Sequence, residues 1–163
     1  YLAQFLLKKE YKVFGLTRSS TAKELWLISK DLESVDLVKC DLGADNADKV
    51  LSDLIKKEDF DELYHLAAVT FVPDAASSAN AVMRVNTNSI QTILDCIYSN
   101  GLKTKVFYAS SAEAYAPEEG GVTENSVPKA SSVYGLSKIL GQNIVDFYKA
   151  KGVFCCYGVL FNH

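Results

Sequence analysis

Four residues carry the chemistry this chain could perform: Ser111 and Glu113 in the run ASSAEAY, and Tyr134 and Lys138 in YGLSK. Tyr134 and Lys138 are four positions apart, so on a helix they share one face. An unperturbed phenol loses its proton near pH 10, about three units above neutrality, and a neighbouring cation brings a phenol into range for proton transfer. Lys138 supplies that cation, and the Ser111 hydroxyl can hydrogen-bond the same substrate oxygen. A Tyr and a Lys at this spacing also occur together on solvated helix faces, so the weight rests on the elements around them.

Apolar spacing predicts a helix over residues 1–9, a strand over 11–17 (YKVFGLT), a helix over 21–30, a strand over 35–40 (VDLVKC) and a helix over 45–57. It continues with a strand over 61–68 (DELYHLAA), a long helix over 75–99 closed by Asn100 and Gly101, and a strand over 105–110 (KVFYAS). A loop holding Pro117, Gly120, Gly121 and Pro128 leads to a helix over 132–150 and a last strand over 153–161 (VFCCYGVLF). Strands alternating with helices predict right-handed crossovers and a Rossmann-like, doubly wound parallel sheet of the α/β class. Ligands of such sheets bind beyond the carboxyl ends of the strands. That edge receives Arg18 after the first strand, Asp41 and Leu42 after the second, Ala67 and Ala68 after the third, and Ser111 and Glu113 after the fourth.

At 163 residues, one domain over 1–163 is expected. Hydrophobic content of 48%, with 23% charged residues and three prolines, excludes a disordered or collagen-like chain. A net charge of −3 leaves no electrostatic footprint for nucleic acid or anionic lipid, and no apolar run approaches the roughly 18 residues of a membrane helix. Cys40, Cys96, Cys155 and Cys156 have no metal-binding spacing and are expected to be reduced and structural, which matches a cytoplasmic protein. The chain opens without Met directly in a helical pattern, and its only glycine before residue 40 is Gly15, inside a strand. The glycine-rich dinucleotide loop that should precede the first helix is therefore missing. The expectation is a piece of a longer protein, lacking the first strand, the glycine-rich loop and a C-terminal substrate domain, and inactive by itself.

With this order of elements, Ser111, Tyr134 and Lys138 resemble the catalytic Ser/Thr, Tyr and Lys of the extended short-chain dehydrogenase/reductase (NAD-dependent epimerase/dehydratase) family, whose members modify nucleotide sugars. The runs YLAQFLLKKEYKVFGLTRSS, DELYHLAAVTFV and YGVLFNH are similar to segments of its GDP-mannose 4,6-dehydratase branch. The resemblance implies GDP-mannose or a related nucleotide sugar as substrate, with hydride passing from C4 of the sugar to NADP+ and returning at C6 as water is lost. It implies that Tyr134 serves the C4 hydroxyl, Lys138 assists it and holds the nicotinamide ribose, Ser111 orients the sugar, and Glu113 serves C5 and C6. A cation at the end of the first strand suits the 2′-phosphate of NADP, where a carboxylate would suit NAD. Arg18 and Ser19 stand there, although the branch usually carries a second arginine in the place of Ser19. The resemblance further implies cofactor contacts from Asp41 and Leu42 at the adenine, from Leu66, Ala67, Ala68, Val69 and Thr70 along the pyrophosphate and ribose, and from His163. His65, within a strand, reads as structural. The family also implies a homodimer or homotetramer, with no nucleic-acid or membrane partner. A reductase or epimerase on the same scaffold is the alternative, as is a dinucleotide-binding protein without turnover.

Overall fold

The computed structural model describes residues 1–18, 34–70, 75–116 and 121–161. It divides into two compact units, Tyr1–Ala44 and Asp45–His163. The expected helix over 21–30 lies outside the described residues, as do Ser19 and His163.

In the first unit, helix α1 (Leu2–Lys8) leads to strand β1 (Phe14–Thr17), which pairs in parallel with β2 (Asp36–Lys39), Phe14 opposite Asp36 and Thr17 opposite Lys39. The strand starts three residues later than its sequence pattern suggests. The reason is local: Glu10 takes a left-handed φ of 64°, and the Tyr11 amide still bonds back to the Leu6 carbonyl at 3.1 Å, so the chain leaves the helix through a turn.

The second unit contains α2 (Ala47–Glu58), β3 (Glu62–His65), α3 (Ala75–Met83), a π-helical turn (Arg84–Asn88), α4 (Ser89–Ser99), β4 (Lys105–Ser111), a 3-10 turn (Ala112–Ala114), α5 (Val133–Ala150) and β5 (Cys155–Leu160). The three strands form a parallel sheet in the order β3-β4-β5. His65 lies opposite Tyr108, and Ser111 opposite Leu160. Helix α2 buries Ala47, Leu51 and Ile55, one residue per turn, while α4 buries Ile90, Ile93, Leu94 and Ile97. Ile55, Ile90, Leu94 and Ile97 are each at most 1% exposed, and each such side chain contributes roughly 1.5–3 kcal/mol of burial. Parallel pairing in both units, with helices between the strands of the second, is the α/β class that the alternating pattern predicts.

Two elements of this unit differ from their sequence patterns. Strand β3 ends at His65 instead of Ala68, and the long helix over 75–99 is widened by one π turn. Inside the π turn, the Asn86 side chain takes the backbone N–H and C=O of Val69, four residues past the end of β3.

Candidate active site

At the carboxyl end of β4 the chain turns over Ser111, which is extended and accepts a hydrogen bond from the Glu113 amide on its Oγ at 3.2 Å. A serine that caps its own turn holds the carbon backbone of Glu113 at a fixed distance from the strand end. Helix α5 starts with the same device. Ser132 is extended, its Oγ accepts from the Gly135 amide at 3.0 Å, and its hydroxyl donates to Glu113 Oε2 at 3.4 Å. One hydroxyl therefore both caps the helix and holds the exposed carboxylate. The backbones meet closely here: a Cβ on Gly135 would lie 2.2 Å from the Glu113 carbonyl oxygen, so this helix position requires glycine.

One turn along α5, Lys138 is 2% exposed. Its Nζ donates to the Ala109 carbonyl at 2.7 Å and stands 5.6 Å from the Tyr134 ring centroid. Burial pulls the ammonium down to about 8. It remains mostly charged at neutral pH. A further turn on, Gln142 donates to Ser110 Oγ at 2.7 Å, so α5 is sewn to the end of β4 at successive positions. Tyr134 and Lys138 share a helix face as their spacing requires, and the structure brings Glu113, whose amide Ser111 holds, to the start of that same helix.

His65, at the end of β3, is 4% exposed and bonds Ser89 Oγ through Nε2 at 2.6 Å. The Ser89 hydroxyl spends its own proton on the Val85 carbonyl at 2.5 Å, which assigns the imidazole hydrogen to Nε2. Burial, and then the nearby Lys138 charge, pull His65 down to about 4, so the ring is neutral at pH 7. It is a core residue.

Asn86, fully buried in the π turn, was not evident as a site residue from the sequence. Its Oδ1 accepts from the Val69 amide at 2.8 Å, and its Nδ2 donates to the Val69 carbonyl at 3.1 Å and to Ser137 Oγ at 3.0 Å. Ser137 in turn donates to the Tyr134 carbonyl at 2.6 Å. This chain ties the segment after β3 to the helix that carries the Tyr and Lys. The available signal was an Asn in the middle of a long helical run, where that residue is a poor former unless its side chain is used. Ser132 was legible in the same way, as a serine directly ahead of an apolar run.

The remaining sequence-expected residues that the structure describes lie just past strand ends. In the second unit Leu66, Ala67 and Thr70 are exposed, with Ala68 and Val69 half-buried. In the first unit Arg18 is exposed beyond β1. Beyond β2, exposed Asp41 accepts from the Gly43 amide at 2.9 Å, and Leu42 is buried. Among the described residues no cluster of three or more His, Cys, Asp or Glu could hold a metal ion.

A family model described as GDP-mannose 4,6 dehydratase matches residues 1–163. The chain belongs to the GDP-mannose 4,6-dehydratase family. Among curated members, that of Yersinia enterocolitica is 29% identical over 171 residues and that of Drosophila melanogaster 31% over 172, in each case across all of this chain. The chain spans 46% and 44% of their lengths, about half of each relative. Of solved structures, UDP-glucose 4-epimerase from Brucella ovis in complex with NAD superimposes with a TM-score of 0.78 at 20% identity, over 98% of this chain and 47% of that one. The Bordetella bronchiseptica enzyme WbmH in complex with NAD+ gives 0.79 at 20% identity, over 99% and 51%. These likenesses establish a Rossmann-like fold for this member of the dehydratase family. Within the second unit, Lys138 offers a fixed ammonium of which Ala109 takes one N–H, a donor that suits the ribose hydroxyls of a dinucleotide.

Proposed function

We propose that this chain is the dinucleotide-binding part of an enzyme that converts GDP-mannose to GDP-4-keto-6-deoxymannose, using NADP. The observation that carries the reading is Glu113, a carboxylate held by Ser132 at the head of the helix bearing Tyr134 and Lys138. Oxidation of a hydroxyl needs only the Tyr and Lys; eliminating water needs a further acid and base.

A bound nicotinamide dinucleotide supplies a hydride acceptor at C4 and a donor at C6, and is regenerated in each turnover. Tyr134 takes the proton of the C4 hydroxyl. The Lys138 ammonium, anchored on Ala109, stabilises negative charge at the phenol oxygen and keeps N–H groups for the cofactor ribose. The Ser111 oxygen already accepts from the Glu113 amide, so its own hydrogen is free to point at the sugar oxygen. Glu113 removes the C5 proton and delivers it to the departing C6 hydroxyl, which leaves as water; when hydride returns to C6, the proton that Tyr134 took from the C4 hydroxyl goes to C5. Arg18 supports NADP over NAD through the 2′-phosphate, with Ser19 beside it. Asp41, Leu42, Leu66 to Thr70 and His163 are the further cofactor contacts in this reading.

An exposed apolar stripe along α5, Val133, Leu136, Leu140 and Phe147, supports assembly as a homodimer or homotetramer. Four unbonded cysteines support the cytoplasm as its compartment.

The test uses the full-length protein with GDP-mannose and NADP+. The expected result is a 4-keto-6-deoxy product with no net change in NADPH, at least about a 100-fold loss of kcat in Tyr134→Phe, and, in Glu113→Gln, reduced nicotinamide accumulating once per site without elimination. Stoichiometric consumption of NADPH would instead identify a reductase. Turnover that Tyr134→Phe leaves untouched would remove the catalytic reading.

A further inference from the structure

We propose that Tyr108 is a positioning residue: its ring is the floor on which the Lys138 ammonium rests, and Asn86 and Gly141 lock that ring in place. The Lys138 Nζ stands 5.0 Å from the Tyr108 centroid and 5.6 Å from that of Tyr134, so it lies between two ring faces, with the Ala109 carbonyl as its hydrogen-bond acceptor. Tyr108 is fully buried. Its hydroxyl donates to the Asn86 carbonyl at 3.2 Å, and the His65 ring packs against it at 5.5 Å. Gly141 pens it from the helix side: a Cβ there would fall 2.2 Å from the Tyr108 hydroxyl and 2.4 Å from Cζ. Any larger residue at 141 evicts the ring.

The titratable groups facing Lys138 are Tyr134 on its own helix, Tyr108 on β4 and His65 on β3. Burial raises the Tyr108 phenol and keeps it protonated, while His65 stays neutral, so neither supplies a counter-charge. Among the described residues Lys138 has no carboxylate in ion-pair contact. Two ring faces and one carbonyl are thus what favour the cation against desolvation. A desolvated ammonium over an aromatic face gains about 0.5–2 kcal/mol. Tyr108 therefore holds the amine both in place and in its charged form. The consequence for turnover rests on the proposed role of Lys138; the geometry of the floor does not.

The experiment follows the titration of Lys138 by NMR in the full-length protein with isotope-labelled lysine, the signal being assigned by its loss in Lys138→Met. Replacing Tyr108 by Leu should lower the Lys138 midpoint by about 0.5–1.5 units, roughly a three- to thirty-fold fall in its proton affinity. The alkaline limb of kcat/KM should move down with it. Tyr108→Phe, which keeps the ring face, should move the midpoint by less than a third as much. Should the Leu variant not fold, phenylalanine and its mono-, di- and trifluorinated forms at 108 keep the shape while draining the face of negative charge. The midpoint should then fall stepwise with fluorination, a gradation that packing alone does not produce. A Lys138 titration unchanged in Tyr108→Leu, or flat along the fluorinated series, would overturn the proposal. A shifted lysine with an unshifted alkaline limb would leave the floor standing and remove Lys138 from the proposed chemistry.

Discussion

Replacing Lys138 by Met should make the chain more stable while removing the function proposed for it. In the folded protein the ammonium titrates at about 8, against 10.5 for a solvated lysine. That difference of about 2.5 units, at 1.36 kcal/mol per unit, amounts to about 3 kcal/mol opposing folding. Below pH 8 both folded and unfolded chains carry the proton, so the whole opposition is present. Between pH 8 and 10.5 the unfolded chain holds a proton that the folded chain has released, and wild-type stability therefore rises with pH across this window. Met matches the length of the lysine stem and fills the slot without a charge, but forfeits the hydrogen bond to the Ala109 carbonyl, about 1 kcal/mol. The expected balance is a gain of about 2 kcal/mol at pH 7 that shrinks as the pH rises and is gone by about 10.5. Urea denaturation of wild type and variant, followed by circular dichroism at a series of pH values, reads the difference directly and cancels the titration of groups common to both. A variant less stable than wild type at pH 7, or a gap that does not narrow towards alkaline pH, would refute the reasoning, since either means that the fold favours the ammonium.

Gly135→Ala must push the Glu113 backbone away, because its Cβ would sit 2.2 Å from that carbonyl oxygen. A cost of about 1–3 kcal/mol should outweigh the roughly 1 kcal/mol that alanine offers a helix, and kcat of the full-length protein should fall; a fully stable, fully active variant would contradict the close approach. Acidification from pH 6.5 to 4 should destabilise the wild type through His65, which stays neutral to about 4 when folded but takes a proton near 6.5 when unfolded. The loss reaches about 3 kcal/mol, and a His65→Phe variant should lack it; parallel stability curves for the two proteins would place the acid sensitivity elsewhere. Asn86→Ala strips both backbone partners from Val69, so the Val69 amide should exchange with solvent faster and stability should drop by about 1–3 kcal/mol. Undiminished protection there would sink the account of Val69 as held by the Asn86 side chain. Leu140→Glu, in the middle of the exposed α5 stripe, should shift the full-length protein towards monomer in sedimentation velocity, and an assembly that persists would exclude the stripe as its interface.

Where the determinants are local, the sequence was legible. The one-per-turn rhythm of Ala47, Leu51 and Ile55 marks the buried face of α2, the run KVFYAS marks β4, and the four-residue step from Tyr134 to Lys138 puts both on one face of α5. The rule that chemistry gathers beyond the carboxyl ends of parallel strands then directed attention to Ser111 and Glu113. The limits of β3 were less legible, because DELYHLAA continues the apolar pattern past His65, and the backbone that follows bonds at Val69 to a side chain 17 residues away. Alternation and propensity register neighbours in the chain, and a hydrogen bond of that kind leaves no trace in them. The same holds for Gly135, which looks like a weak point in a helix until the Glu113 carbonyl is seen against it.

The sequence by itself determined which groups are present and on which face or strand end they stand: a phenol and an amine one helical turn apart, a hydroxyl and a carboxylate past a strand. Only the tertiary structure decided the company they keep. It set the Lys138 ammonium against the Tyr108 and Tyr134 rings and the Ala109 carbonyl, and fastened Glu113 to the cap of α5. The charge state of a side chain follows from how much water it has lost and which groups face it, and for Lys138 those groups come from β3, β4 and α5, brought together only when the sheet and helix pack.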